Sequence, residues 1–261
     1  MIVRETLESF ILITQHDHAM LSGKLAEHWK EDTFWKNAHT ADVLLAIYQH
    51  DRGWINLDEA PVWDEHNHKV YAFIGYPLKE KLVHYKLGID EVEAMNTYAA
   101  VLCSMHYCSF MNPDNGPEKD FLEQEYKRQT RLKKQELLDS PEKEKLVKYH
   151  FHLLQLFDDL SLYMCINQPG VSKENEFPFF RNGFKHSDLF AYTGGKKIGA
   201  YWENSHTVAI SPFPLVKESE IDFQYKEINK KDIQQHGLAN TYQKAPFQWY
   251  HVDLITTDKS H

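Results

Sequence analysis

The first residues of the chain combine β-branched clusters with alternation, at Met1-Ile2-Val3 and again at Phe10-Ile11-Leu12-Ile13-Thr14, which predicts a short hairpin leading into the first helix. From Gln15 to Trp29 the apolar spacing turns helical. Ala41 to about Asp51 repeats it, and Arg52-Gly53-Trp54 then sets a glycine just past the last turn. Between Asn56 and Pro77 the periodicity lapses. Pro61, Gly75 and Pro77 frame a polar tip, Asp64-Glu65-His66-Asn67-His68-Lys69, so this stretch reads as a long surface excursion of the kind that often covers an active site. Helical spacing resumes over 79–85 and 90–110 and stops at Asn112-Pro113-Asp114-Asn115-Gly116-Pro117, a cluster of turn-forming residues.

Pro117 to Leu138 is densely charged, with Glu123 four residues before Lys127, and predicts a helix with one solvated face. Ser140-Pro141-Glu142 supplies an N-cap, a proline at the first helical position and an acid in the first turn of a helix expected to run to about Asn167. Gln168-Pro169-Gly170 closes the helical part. Beyond it, stretches 199–202, 207–215, 221–228 and 248–257 are rich in β-branched and aromatic residues and predict antiparallel strands. The expected architecture is mainly α: a helical body over residues 1–168 with a short N-terminal hairpin, then a β-rich C-terminal portion over residues 169–261. That portion is either a second domain or a second layer of the same one.

Composition narrows the classes of function. With 261 residues, 42% apolar and 26% charged, the chain can build one large core or two modest ones, which excludes disorder as its main state. Lys and Arg number 29 against 38 acids, a net charge of −9, so the broad positive field that grips nucleic acid or anionic lipid is missing. No apolar run approaches the roughly 18–20 residues of a bilayer span, and Ile11-Leu12-Ile13 is too short for a secretory leader, so a cytoplasmic protein is expected. Cys103, Cys108 and Cys165 form no Cys-x-x-Cys spacing and read as small buried groups. The 16 histidines change the picture more, because imidazole is a common nitrogen ligand of transition metals.

The adjacent His50 and Asp51 continue the stripe of Val43, Leu44 and Ile47 by one turn, so both point toward the inside. Three other helices carry a similar arrangement. His18 precedes Leu21, Leu25 and Trp29; His106 follows Met95, Ala99 and Leu102; Asp159 shares a face with Leu156, Tyr163 and Ile166. A carboxylate among such neighbours costs several kcal/mol unless a cation, a donor cluster or a proton meets it. A metal ion is one solution for Asp159. A buried arginine is another, and for Asp158 or Asp159 a solvated position beside the preceding lysines is a third. His66 and His68 fit a solvated turn, and His84, His150 and His152 fit surface or packing roles. His16 precedes the helical stripe and is a weaker ligand than His18.

A helical His, an adjacent His-Asp and a distant helical Asp, in that order, resemble the HD-domain superfamily of metal-dependent phosphohydrolases. The resemblance implies an HD-like helical bundle with His18, His50, Asp51 and Asp159 as ligands. His106 takes the place of the extra helical histidine of the two-metal branches. It implies one or two divalent transition ions (Fe, Mn, Zn, Co or Ni), and hydrolysis of a small phosphate ester or nucleotide by a metal-activated hydroxide. Asp51, His106 and Arg52 would be catalytic, with Lys127, Arg128 and Arg131 as further candidates for the phosphate charge. Trp54 stands where many two-metal members carry a lysine, which removes one phosphate contact. Whole segments (Gln15-His16-Asp17-His18-Ala19, His50-Asp51-Arg52-Gly53-Trp54, Ser104-Met105-His106 and Asp159-Leu160-Ser161-Leu162) are also similar to an uncharacterised bacterial family of unknown function, over nearly the full chain. Two rival functions share these residues: an HD-like di-iron oxygenase, with His84 and His106 helping to hold two irons, and a binding module without turnover. Homo-oligomerisation is a base-rate expectation.

Overall fold

A computed structural model describes residues 1–31, 37–138 and 140–257. The predicted hairpin forms: β1 (Ile2–Glu5) and β2 (Ser9–Ile13) pair in register from Ile2 opposite Ile13 to Glu5 opposite Phe10. Thr14 then caps α1 (Gln15–Ala26), its hydroxyl accepting from the Asp17 amide while donating to the Asp17 carboxylate. Next come α2 (Thr40–Gln49), a 3-10 turn at Arg52–Trp54 and the short α3 (Ile55–Glu59). The polar tip of the excursion is a two-residue hairpin, β3 (Trp63–Asp64) with β4 (Lys69–Val70), closed by the Asp64 carboxylate accepting from the amides of His66 and Asn67.

The next two helices divide differently from their periodicity. α4 runs unbroken over Leu78–Met95, and α5 over Thr97–Cys108, with the break at Asn96. Asn96 is extended (φ −161°, ψ 123°), and its side chain caps the second helix through the Ala99 amide. Gly88 lies inside α4, where the backbone of the Arg52–Trp54 turn passes against it. α6 (Gly116–Gln135) and α7 (Pro141–Ile166) follow, the latter capped by Ser140 and ending one residue before Asn167.

After three 3-10 turns (Pro178–Phe180, Ser187–Leu189 and Ala191–Thr193), the chain forms β5 (Gly199–Asn204), β6 (Thr207–Ser211) and β7 (Ser219–Asn229). Two short helices, α8 (Lys230–His236) and α9 (Leu238–Lys244), precede β8 (Phe247–Thr256). They meet at Gly237, whose φ of +77° suits glycine, and they lay Ile233, Leu238 and Tyr242 over Phe10, Leu12 and Ile228.

The expectation of a mainly α, HD-like bundle does not hold. About 51% of the chain is helical, and the rest of the architecture is a curled, half-barrel sheet of six strands. Its order is β1-β2-β7-β8-β6-β5, with β6 and β8 parallel and all other pairs antiparallel. The N-terminal hairpin is part of this sheet: β2 pairs with β7 from Ser9 opposite Asn229 to Leu12 opposite Lys226. Residues 1–168 are therefore not all helical body: their hairpin belongs to the sheet shared with the C-terminal portion. The change of composition near residue 170 marks a change of layer, since one core cluster joins Ile2 and Ile13 to Leu160 and Tyr163 of α7 and to Val252 and Leu254 of β8. Arg4 of β1 reinforces the contact by donating to the Asn167 carbonyl at the end of α7 (3.0 Å). All three cysteines are buried and unpaired. Among the described residues, no helix is long and apolar enough to cross a membrane.

Candidate metal centre

Four helices aim side chains at one point. α1 brings His18 in its first turn, the end of α2 brings His50 and Asp51, α5 brings His106 and α7 brings Asp158. His18, His50, Asp51 and His106 are all buried. His18 Nε2 lies 2.9 Å from Asp158 Oδ1 and 3.3 Å from His50 Nε2, and His50 Nε2 lies 3.4 Å from the same Asp158 oxygen. Asp51 Oδ2 stands 3.8 Å from His18 Nε2 and 3.7 Å from His50 Nε2. His106 closes the group, with Nε2 4.0 Å from Asp51 Oδ1 and Nδ1 3.9 Å from Asp158 Oδ2.

Contacts behind the cluster fix how the rings face. His50 Nδ1 donates to the Ile47 carbonyl at 2.7 Å, which leaves Nε2 toward the centre. His18 Nδ1 is 2.6 Å from the hydroxyl of Ser161, one helical turn beyond Asp158, and Ser161 in turn is 2.6 Å from Ser22. Among the described residues, buried His106 Nδ1 has no hydrogen-bond partner. An unsatisfied buried polar atom costs about 1–3 kcal/mol, so the site holds a nitrogen that no described residue satisfies by a hydrogen bond.

The charges follow from burial and crowding. Burial pushes His18 down and drives His106 to about 3. Burial also disfavours charge on His50, but Asp51 and then Asp158 outweigh it and raise His50 to about 9. Burial raises Asp51 to about 7. Asp158 falls well below the usual carboxylate range: burial opposes this, and the hydrogen bonds to His18 and His50 overcome it. Two overlapping groups, His18 with His50 and Asp51, and His50 with His106 and Asp158, each place their donor atoms within 4.8 Å of one another. These buried groups can hold a metal ion. Neutral imidazoles and carboxylates are the donor set that suits a divalent transition metal.

Of the ligands expected from sequence, His18, His50, Asp51 and His106 meet here and Asp159 does not. The carboxylate in the cluster is Asp158, because Asp158 and not Asp159 shares the helix face of Ser161, where His18 docks. Asp159 lines the adjoining cavity, held well above the usual carboxylate range by burial and by the charge of Asp158. Arg52 turns away: its Nε donates to Glu91 (2.5 Å) and its Nη1 to Gln49 (2.9 Å), so it does not reach the centre. Lys127, Arg128 and Arg131 line a separate surface cleft, where Arg128 pairs with Asp90, Glu93 and Glu125. His84 contributes a backbone carbonyl against Gly53 and belongs to neither ligand group, and His66 and His68 are exposed on the β3–β4 tip.

A cavity of about 310 Å³ opens onto His18, Asp51, His106 and Asp158. The excursion supplies Phe73, Ile74 and Gly75 to its wall, as its length suggested, and α4 supplies Lys81 and Tyr85. Lys81 carried no signal in the sequence beyond its place in the first turns of the helix that follows the excursion.

The profile of a family described as "Protein of unknown function (DUF3891)" matches residues 1–230. The chain belongs to the DUF3891 family. No curated protein and no solved structure matches it. The matched stretch holds all the residues of the centre and the cavity wall and stops before β8. The family description names no activity, and nothing in these comparisons links the chain to HD-domain phosphohydrolases.

Proposed function

We propose that this chain is a metal-dependent hydrolase acting on a small phosphate ester. The observation that carries the reading is the convergence of His18, His50, Asp51 and Asp158 beside a cavity, with a buried His106 nitrogen left unpaired. His18, His50, Asp51 and Asp158 would hold one divalent transition ion. Such an ion supplies Lewis acidity, acidifying a water and offsetting charge on a phosphoryl oxygen. His106, kept neutral by burial, is left to accept a hydrogen bond from the attacking water at Nδ1. In the net reaction the water oxygen bonds to phosphorus, the ester P–O bond breaks, and the alcohol leaves with one of the water's protons. Lys81 on the cavity wall meets the phosphate charge in place of Arg52.

Elemental analysis of protein purified without a His-tag should find about one transition metal per chain. Asp51→Ala and Asp158→Ala should lose it while Asp159→Ala retains it, and His106→Ala should keep the ion and lose turnover in a screen of phosphate esters. Full metal in the Asp51 and Asp158 variants would refute the ligand set. Metal without hydrolysis of any phosphate ester would refute the reaction.

A further inference from the structure

The same cavity carries information about what enters it. Its inner wall is apolar and aromatic, built from Trp54, Tyr85, Leu162 and Phe73. At its mouth three large apolar side chains from separate segments stand in solvent: Ile74 of the excursion is 46% exposed, Phe110 just past α5 is 54% exposed, and Phe179 of the Pro178–Phe180 turn is 62% exposed. Isolated exposed apolar residues are ordinary, but three that converge on one opening mark a contact surface.

Charge limits the polar end of the ligand. Among the described residues lining the cavity, Lys81 is the single Lys or Arg, against the carboxylates of Asp51, Asp158 and Asp159. A divalent ion offsets two of those acids and leaves Lys81 as the remaining cation. A triphosphate or diphosphate chain is normally met by several basic side chains or a cradle of backbone amides, and this wall offers one lysine. The volume, about 310 Å³, is at the small end for ligand cavities.

Resting on the hydrolase reading above, we propose that the substrate is a monophosphate ester of an apolar aryl or alkyl alcohol, whose body is recognised by Ile74, Phe110 and Phe179 at the cavity mouth. The phosphoryl group sits inside, toward Lys81 and the buried acids. The alcohol part fills the apolar wall and reaches the rim.

Binding tests this independently of turnover. Manganese-loaded full-length protein would be titrated calorimetrically with 4-butylphenylphosphonate, which cannot be hydrolysed at an ester bond, and with inorganic phosphate, adenosine monophosphate and adenosine triphosphate. The expected result is at least tenfold tighter binding of the arylphosphonate than of the other three. The double variant Phe110→Ser/Phe179→Ser should reduce that preference at least fivefold. Leu7→Ser, which removes an exposed side chain on the β1–β2 turn, should leave the preference intact. Equal affinity for the arylphosphonate and inorganic phosphate, tighter binding of either nucleotide, or a preference that survives the double variant would overturn the proposal. Selective arylphosphonate binding by a protein that hydrolyses no phosphate ester would support this recognition surface and refute the reaction instead.

Discussion

The hydroxyl of Ser161, 2.6 Å from His18 Nδ1, has no charge and no place in the chemistry, yet it fixes which nitrogen of His18 faces the centre. Contacts of this kind orient a ligating imidazole, and their loss typically lowers metal affinity 10–100-fold. Ser161→Ala should show a drop of that size in a competition titration against a chelator while keeping its melting temperature within a few degrees. An unchanged affinity would mean that His18 is oriented without it. A second expectation concerns protons. In the ion-free protein, Asp51 and Asp158 hold His50 protonated up to about pH 9, and a ligating imidazole must be neutral. Ion binding at pH 7 therefore expels that proton and part of a second from Asp51, so apparent affinity should rise more steeply than tenfold per pH unit below about pH 7, roughly tenfold per unit from about 7 to 9, and level above that. Calorimetry in buffers of differing ionisation enthalpy would count the released protons, and a pH-independent affinity would rule out a protonated His50. His18, His50, Asp51 and His106 were legible because each lies on or beside an apolar stripe of its own helix. Asp158 was not, because adjacent helical residues differ by about 100° and apolar neighbours flank both acids in α7. The informative signal was the small residue Ser161 three positions on, which leaves room for an imidazole from α1.

At the level of elements, the His50–Asp51 pair at the end of α2 is held by a close approach of two backbones. A Cβ on Gly88 of α4 would lie 2.6 Å from the Gly53 Cα, and one on Gly53 would lie 2.7 Å from the His84 carbonyl oxygen. Gly53 is thus required for proximity, with no positive φ, although its position after α2 reads from sequence as a helix stop. Gly88→Ala should push α4 away from the Arg52–Trp54 turn, costing about 1–3 kcal/mol in chemical denaturation. It should also weaken metal binding, because that turn begins directly after Asp51. Gly75→Ala, in the excursion where a Cβ meets nothing, separates the effects: its φ of +84° makes it a backbone change without a packing clash. It should leave metal binding as it is. Equal metal affinity in wild type and Gly88→Ala would remove the link between this crossing and the centre. The helix start capped by Ser140 was legible from sequence, whereas the break at Asn96 was hidden by apolar periodicity that continues across it.

For the whole molecule, helical periodicity dominates residues 15–166 and suggests a bundle with a hairpin at one end and strands at the other. What that pattern cannot reveal is that the two ends share a sheet. Strand pairing between Ser9–Leu12 and Lys226–Asn229 joins residues more than 200 positions apart, and alternation along one strand does not name its partner. The short α8 and α9 were missed for a related reason: each has seven residues, too few to show a period, and they are held by packing onto Phe10 and Ile228. The joint sheet has a direct consequence. A fragment of residues 1–168 would keep every proposed metal ligand but would lose β7, one of the two strands paired with β2, and uncover Ile2, Ile13 and the sheet-facing side of α7. An unpaired hydrophobic strand edge of this kind promotes aggregation. The fragment expressed alone should therefore be insoluble or partly folded and should bind no metal, as judged by circular dichroism and elemental analysis. Co-expression with residues 169–261 should restore both, because the missing strands can pair from a separate chain. A soluble, monomeric 1–168 fragment with a native spectrum and one bound ion per chain would show that the helices assemble the centre without the sheet.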